Sequence, residues 1–413
     1  MRAVLSSIGA LLISAAILLA GGGLLSTLIA IRAEAEGFPL VAIGLLTSAY
    51  FAGFIGGCIG TPYLVKRVGH VRVFAALSAL TAAATLTHVL LINVPTWLIL
   101  RVITGFSFAG LYMLIESWIN EQAPNEKRGQ VLAVYRMVDL GAVTAGQFML
   151  TLADPKDFVL FSIVAICISM AIFPISVSTS KAPVAVSQTS LNLKKLIKTS
   201  PLAVAGCFAV GLSNGSFWGV APVFVKQLGH PIIVVSTFMS LAIAAGAFLQ
   251  WPVGVLSDKF GRRIMIIVMS VLSVGAGVFL WQYAPKSQMM LLLGGALYGA
   301  FAMQLFGLSA ALANDYAEPH EFVAISGGLF LIYGIGSVVG PSIAPVIMSL
   351  YTASAMFAFT AAVHAGLVVY ALYRTSQRKP AEGGDYVNVA RPRSMMLILR
   401  TDPRNLLKRK KKL

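Results

Sequence analysis

Four ionisable side chains, Arg101, Glu116, Arg136 and Asp139, fall inside stretches of the 413-residue chain that are otherwise almost wholly apolar. In hydrocarbon each would cost about 2.5–3.5 kcal/mol on insertion scales. They should therefore face a bundle interior, a cavity or one another. Glu116 lies one turn inside the end of its stretch, and Arg136 between one and two turns inside the start of the next, so their depths allow a pair. Asp139 is three residues beyond Arg136, on the same helical face. Two acids near one arginine form a group whose proton occupancy responds to the positions of the helices. That is the chemistry proton-coupled transport requires. Asp139, the deeper acid, is the first candidate for the proton carrier and Glu116 the second. A static ion triad that fixes two neighbouring spans is the other reading.

The elements that hold these residues are membrane spans. Hydrophobic residues make up 58% of the chain and charged ones 11%, where a soluble domain averages about 25% charged. Mean hydropathy is +0.84. A spanning helix needs about 20 apolar residues, and such runs occur at roughly 6–31, 39–62, 73–93, 97–119, 131–153, 157–178, 201–225, 231–254, 264–283, 288–313, 322–349 and 353–373. The expected fold is an all-α polytopic membrane protein of 12 transmembrane helices in two pseudo-symmetric six-helix bundles. The first run continues to Ile31, past the roughly 7–15 residues of a signal core, so it is expected to remain as a span. Cys58, Cys167 and Cys207 all fall inside spans without CxxC spacing, and read as small apolar residues rather than disulfides or metal ligands.

Net charge is +16, and its placement matters more than its size. With both termini cytoplasmic, the inner segments hold 25 Lys/Arg and the outer loops four: Arg32, Lys156, Lys226 and Lys286. Without the tail the ratio is still 13 against four, so the positive-inside rule sets the orientation. The basic balance reports topology and lipid contact, not nucleic acid.

The expected domains are a six-helix bundle over 1–178, a cytoplasmic connector over 179–200, a second bundle over 201–373 and a basic tail over 374–413. Leu191 to Ile197 in the connector alternates Leu/Ile with Lys and reads either as a bilayer-surface segment or as a solvated linker. The tail carries 12 bases and three acids, ending in KRKKK. It is a candidate for contact with anionic lipid or a solvated, disordered extension. Between the spans, the polar island KRVGH ends at Gly69 and His70, and DKFGRR has its glycine, Gly261, 192 residues later. Gly105 and Gly110 pair with Gly294 and Gly299 at a spacing of 189. Weak internal symmetry between six-span halves marks a transporter with parallel repeats.

GVLSDKFGRR (254–263) resembles the major facilitator superfamily signature G-x-L-x-D-R-x-G-R-R, with Lys259 in place of Arg. RVITGFSFAGLYMLIESWIN (101–120), RGQVLAVYRMVDLGAVTAGQ (128–147), LQWPVG (249–254) and IYGIGSVVGP (332–341) are similar to its YcaD-like branch. The likeness runs from residue 1 to about 373. It implies a gate in which the signature acid faces the start of a helix in the opposite half, where the unsatisfied N–H groups favour a carboxylate. Asp258 would meet the start of span 5, near Lys127, Arg128 and Gly129. Gly254 and Gly261 would allow the turn, with Lys259, Arg262 and Arg263 in the same motif. In the first island Lys66 stands where the acid should be, so Lys66, Arg67 and Arg72, around Gly69, would oppose Asp315, Glu318 and Glu321 as a latch of inverted polarity. Solvated loop charges are the alternative.

Arg101 opens R-x-x-x-G, which resembles a superfamily motif linked with proton movement; snorkelling to the headgroups is the other reading. The resemblance also implies that spans 1, 4, 7 and 10 line a central cavity. Tyr112 and Phe108 share a stripe of span 4 with Arg101. Asn214 and Gly215 are placed to break or bend span 7, beside Trp218. Gln147, Gln250, Trp251 and Gln304 are further cavity candidates, with helix packing or interfacial anchoring the alternative for the aromatics. His88 and His364 read as packing positions or proton relays. Gly336, Gly340 and Pro341 let span 11 pack closely and kink.

These readings point to a secondary active transporter of a metabolite or drug-like compound, proton-coupled, or else a uniporter or a non-transporting receptor. No HExxH, GxxxxGK[ST] or metal-spaced His/Asp/Cys cluster occurs, so no enzymatic activity and no cofactor is expected. The expected partners are a small-molecule substrate, protons and lipid, with the protein a monomer. By resemblance its place is the bacterial inner membrane.

Overall fold

The computed structural model describes residues 2–123, 128–177, 193–316 and 322–377, and its regular structure there is helical throughout. The chain divides into two units, Met1–Gln188 and Thr189–Leu413. The first contains α1 (Arg2–Ala35), α2 (Leu40–Val68), α3 (His70–Leu90), α4 (Val94–Gln122), α5 (Arg128–Met149), α6 (Val159–Met170) and α7 (Ile172–Val177). The second contains α8 (Leu193–Thr199), α9 (Pro201–Gln227), α10 (Ile232–Phe260), α11 (Arg262–Tyr283), α12 (Gln288–Ala302), α13 (Leu305–Asp315), α14 (Phe322–Leu350) and α15 (Ala355–Gln377).

Eleven segments among the described residues are long and apolar enough to cross a membrane. The expected fifth span, α5, is not one of them. Its 22 residues give about 33 Å, enough to span. Arg136, Asp139, Gln130 and Gln147 lower its apolar content, so the polar groups that mark α5 for chemistry also hide it as a span.

Within the first unit α1 packs along α5, α2 along α4, and α3 against α4 and α6. Within the second, α9 packs along α14, α10 along α12, and α11 along α15. Glycines set these distances. A Cβ on Gly340 would come within 2.1 Å of the Leu212 carbonyl oxygen, so α9 and α14 touch backbone to backbone. Gly105 meets the Tyr50 carbonyl on α2, and Gly299 meets that of Ala242 on α10. Tyr50 and Ala242 are themselves 192 residues apart, so Gly105 and Gly299 are the equivalent pair. The spacing of 189, which matched Gly110 to Gly299, is corrected by this packing.

Both polar islands fold as one-residue elbows. Gly69 (φ 86°) joins α2 to α3, and Gly261 (φ 89°) joins α10 to α11. Each donates its N–H back to the helix it ends, to Val65 O at 2.9 Å and Ser257 O at 3.0 Å.

Asn214 and Gly215 do not break α9, which runs unbroken from Pro201 to Gln227. Gly215 instead accommodates Ser337, whose Cα would lie 2.8 Å from an added Cβ. The interruptions fall at Ala171, between α6 and α7, and at Met303 and Gln304, between α12 and α13. Ser14 donates its hydroxyl to Ala171 O. Gln304 fills the other break, donating from Nε2 to Gly246 O at 2.7 Å and Ala300 O at 3.1 Å. The second part of the connector forms α8, where Leu196 is buried and both Leu193 and Leu196 lie over Gly328 of α14. Lys194, Lys195, Ile197 and Lys198 of the same helix are exposed, so it docks by one edge only.

Candidate functional site

Arg136 and Asp139 form an ion pair on α5, Arg136 Nη1 to Asp139 Oδ2 at 2.8 Å. Their i,i+3 spacing puts both on one face. The Asp139 side chain is 3% exposed and that of Arg136 is 22% exposed, so the acid lies inside the bundle while the base reaches its edge. Glu116, on α4, is 1% exposed.

Arg101 stands apart from this group. Glu116 is 15 residues further along α4, on the order of 22 Å at helical rise. The Arg101 guanidinium lies 4.4 Å over the ring of Tyr50, and its Nε donates to Leu46 O at 3.3 Å. The residue is only 4% exposed, so its head sits within the bundle and not at the surface. Tyr50 belongs to a cluster with Phe54, Phe108 and Tyr112, whose ring centroids are 5.5–6.4 Å apart. The stripe on α4 was legible from the sequence; its α2 half, Tyr50 and Phe54, was not singled out, although their i,i+4 spacing on an apolar helix carried the signal.

The cavity candidates separate into two groups. Gln147 is fully buried between α1 and α5, donating to Gly23 O at 3.0 Å and accepting from Thr27 Oγ1 at 2.7 Å. Gln304 is committed to the α12–α13 break. Asn214 is 2% exposed, and its Oδ1 finds no hydrogen-bond partner among the described residues. Trp218 and Gln250 are half-buried and Trp251 is 72% exposed. Tyr112 lies in the aromatic cluster. His88 Nδ1 lies 2.7 Å from Ala84 O, with Trp97 edge-on to its ring. His364 is buried, its ring 6.5 Å from that of Tyr298.

At the second elbow, Arg262 contacts two acids of its own unit: Asp315 at 2.6 Å and Asp258 at 3.1 Å. Arg263 donates to the Tyr316 hydroxyl. Lys259 is exposed, and Gly254 is buried in α10. In the first elbow His70 takes the place of Arg262, buried against Trp118, while Lys66, Arg67 and Arg72 are exposed. Lys127, Glu318 and Glu321 lie outside the described residues, as do the side chain of Arg128 and the basic tail beyond Gln377. Among the described residues no group of three His, Cys, Asp or Glu could hold a metal ion.

The family model of the Major Facilitator Superfamily matches residues 11–263 and again 203–406. The second match continues past residue 373, where the motif likeness ends, into the tail. A curated relative from Salmonella arizonae, named "Uncharacterized MFS-type transporter YcaD", is 29% identical over 342 residues, covering 82% of this chain and 88% of its own. The relative of that name from Salmonella typhimurium is 28% identical over the same shares. Among solved structures, the nucleoside transporter NupG superposes with a TM-score of 0.76 at 15% identity, covering 90% of this chain and 99% of its own. The D-xylose–proton symporter gives 0.65 at 15% identity, over 92% and 98%. A bacterial homologue of the human lysosomal transporter Spinster, inward-facing and occupied, gives 0.69 at 13% identity, over 98% and 96%.

Proposed function

Because the chain belongs to the Major Facilitator Superfamily, we propose that it is a secondary active transporter that carries a metabolite or drug-like small molecule by alternating access, coupled to protons. The observation that carries the coupling is the Arg136–Asp139 pair, an acid 3% exposed and held at 2.8 Å by a base on its own helix. Asp139 exchanges its proton as α5 moves against its neighbours, with Glu116 the second acid. The nucleoside transporter and the xylose–proton symporter that share the fold support the class of function, with no reaction catalysed.

The two elbows serve as the gate. Asp258, Lys66, Arg67, Asp315, Glu318 and Glu321 are its charged groups. The bundles of this machine are 1–178 and 201–373. It sits as a monomer in a bacterial inner membrane, as the Salmonella relatives suggest, with both termini cytoplasmic and the basic tail against anionic lipid.

Coupling is tested by screening a compound library for binding to purified protein by tryptophan fluorescence, from mildly acidic to mildly alkaline pH. Wild type is compared with Asp139→Asn and Glu116→Gln. A ligand whose affinity varies with pH in wild type, and no longer does in a folded carboxylate variant, locates the proton carrier. Affinity that is pH-independent in all three makes the acids structural and the protein a uniporter. A protein that binds no compound at all is better read as a scaffold.

A further inference from the structure

Among the described residues, Arg101 is a buried cation without an anion. It is 4% exposed, and no carboxylate among the described residues lies within 4.0 Å of it. Its guanidinium has five donors, yet its one hydrogen bond among those residues runs from Nε to a backbone carbonyl at 3.3 Å. The contrast with the two other buried arginines among the described residues is direct, because Arg262 holds two aspartates and Arg32 pairs with Glu36 at 2.7 Å. The face of Tyr50, 4.4 Å from the Arg101 head, offsets only part of the desolvation that a buried charge incurs. A fold that retains such a group keeps two guanidinium nitrogens, Nη1 and Nη2, in reserve for something that is not part of the chain.

The surroundings say what kind of group that is. Tyr50 and Phe51 are half-buried and edge-on to each other at 5.5 Å. Phe54 and Phe108 are buried behind Tyr50 and hold its ring in place. The backbone beneath cannot yield, since Gly105 already touches Tyr50 O. A planar, bidentate donor beside a fixed aromatic wall suits a planar or tetrahedral oxyanion attached to an apolar body.

We infer that Arg101 and Tyr50 form a substrate subsite for an organic anion, in which a carboxylate, sulfonate or phosphoryl group meets the guanidinium and an apolar or aromatic moiety lies on Tyr50 and Phe51. The inference rests on the transporter reading and names the chemical class of its cargo. It also accounts for the unmatched charge, because an anion neutralises Arg101 only in the loaded carrier.

The test uses full-length protein purified in detergent and a panel of matched probes. Each aromatic carboxylate or phosphonate, such as indole-3-acetate or phenylphosphonate, is paired with its neutral amide or ester, and inorganic phosphate serves as an anion without a body. Binding is read by thermal shift for wild type, Arg101→Gln, Arg101→Lys and Tyr50→Leu. The expected result is at least one acid that binds about tenfold or more tightly than its neutral partner. Arg101→Gln removes that preference, Arg101→Lys keeps part of it, and Tyr50→Leu weakens acid and neutral partner alike. The inference is overturned if no acid in the panel outbinds its neutral partner in wild type, or if the preference survives Arg101→Gln. Should Arg101→Gln not fold, an undiminished preference in Arg101→Lys combined with unchanged binding in Tyr50→Leu overturns it equally. Phosphate binding as tightly as the aromatic acids would reduce the site to a bare anion subsite and refute the aromatic half. No gradient enters the measurement, so loss of pH-dependent coupling at Asp139 would sink the coupling reading and leave this one standing.

Discussion

A cation at the first position of a helix is unfavourable, because the exposed N–H groups there already carry partial positive charge. Arg262 occupies that position in α11, with its side chain 7% exposed. Asp315 and Asp258 make the arrangement tenable, and they are not equal. Asp315 is the closer, at 2.6 Å and 11% exposed, whereas Asp258 is at 3.1 Å and 34% exposed. Asp315→Asn should therefore cost about 1–3 kcal/mol, and Asp258→Asn less than about 1 kcal/mol, read as apparent melting temperatures of the purified protein. Equal losses would mean that burial does not rank these pairs. Of the Asp258–Arg262 contact, only the closeness of the two residues, four apart across the Gly261 elbow, was legible in the sequence. The contact with Asp315 was not, since it joins residues 53 apart and exists only because α13 ends beside the start of α11. The same limit applies at Arg101: its burial in a polytopic chain was readable, whereas its position over Tyr50 depends on how α2 and α4 meet.

At the scale of elements, the two elbows are the feature that sequence and structure describe alike. Gly69 has φ 86° and ψ 165°, and Gly261 has φ 89° and ψ 140°. This region is close to glycine-only, and it is not the left-handed helical region that asparagine tolerates. Nothing lies within 4 Å of a Cβ added at either position, so a substitution is penalised by backbone strain alone. Gly69→Ala and Gly261→Ala should each cost about 1–3 kcal/mol, by similar amounts, and asparagine should do no better than alanine in chemical denaturation. Rescue by asparagine would show that the elbows relax into another turn. The 192-residue repeat of these glycines could be seen in the sequence because polar residues frame them. The register of the glycines within spans 4 and 10 could not, because many glycines compete there and only the partner helix decides which one meets backbone. For α5 the sequence reading expects a span from an apolar run, and the structure gives a helix of spanning length that its polar residues keep outside the eleven apolar segments.

At the scale of the whole molecule, orientation decides which side of the membrane each of these sites serves. Arg101 lies seven residues into α4 and Glu116 six residues before its end, so the proposed anion subsite and the acids serve opposite ends of one unit. The charge bias of 13 against four outside the tail predicts a cytoplasmic position for the acid end and for each elbow. The chain is suited to a labelling test, because Cys58 and Cys207 are buried and Cys167 is half-buried within spans. A cysteine at exposed Lys286, in the turn between α11 and α12, should react with a membrane-impermeant maleimide in intact cells. One at exposed Lys194, in α8, should react only after permeabilisation. Truncation after Gln377 should leave both results unchanged, because the bias survives without the tail. If Lys194→Cys reacts in intact cells, the chain is inverted. The organic anion would then enter from the cytoplasmic end of α4 and protons from the other, which reverses the expected direction of coupling.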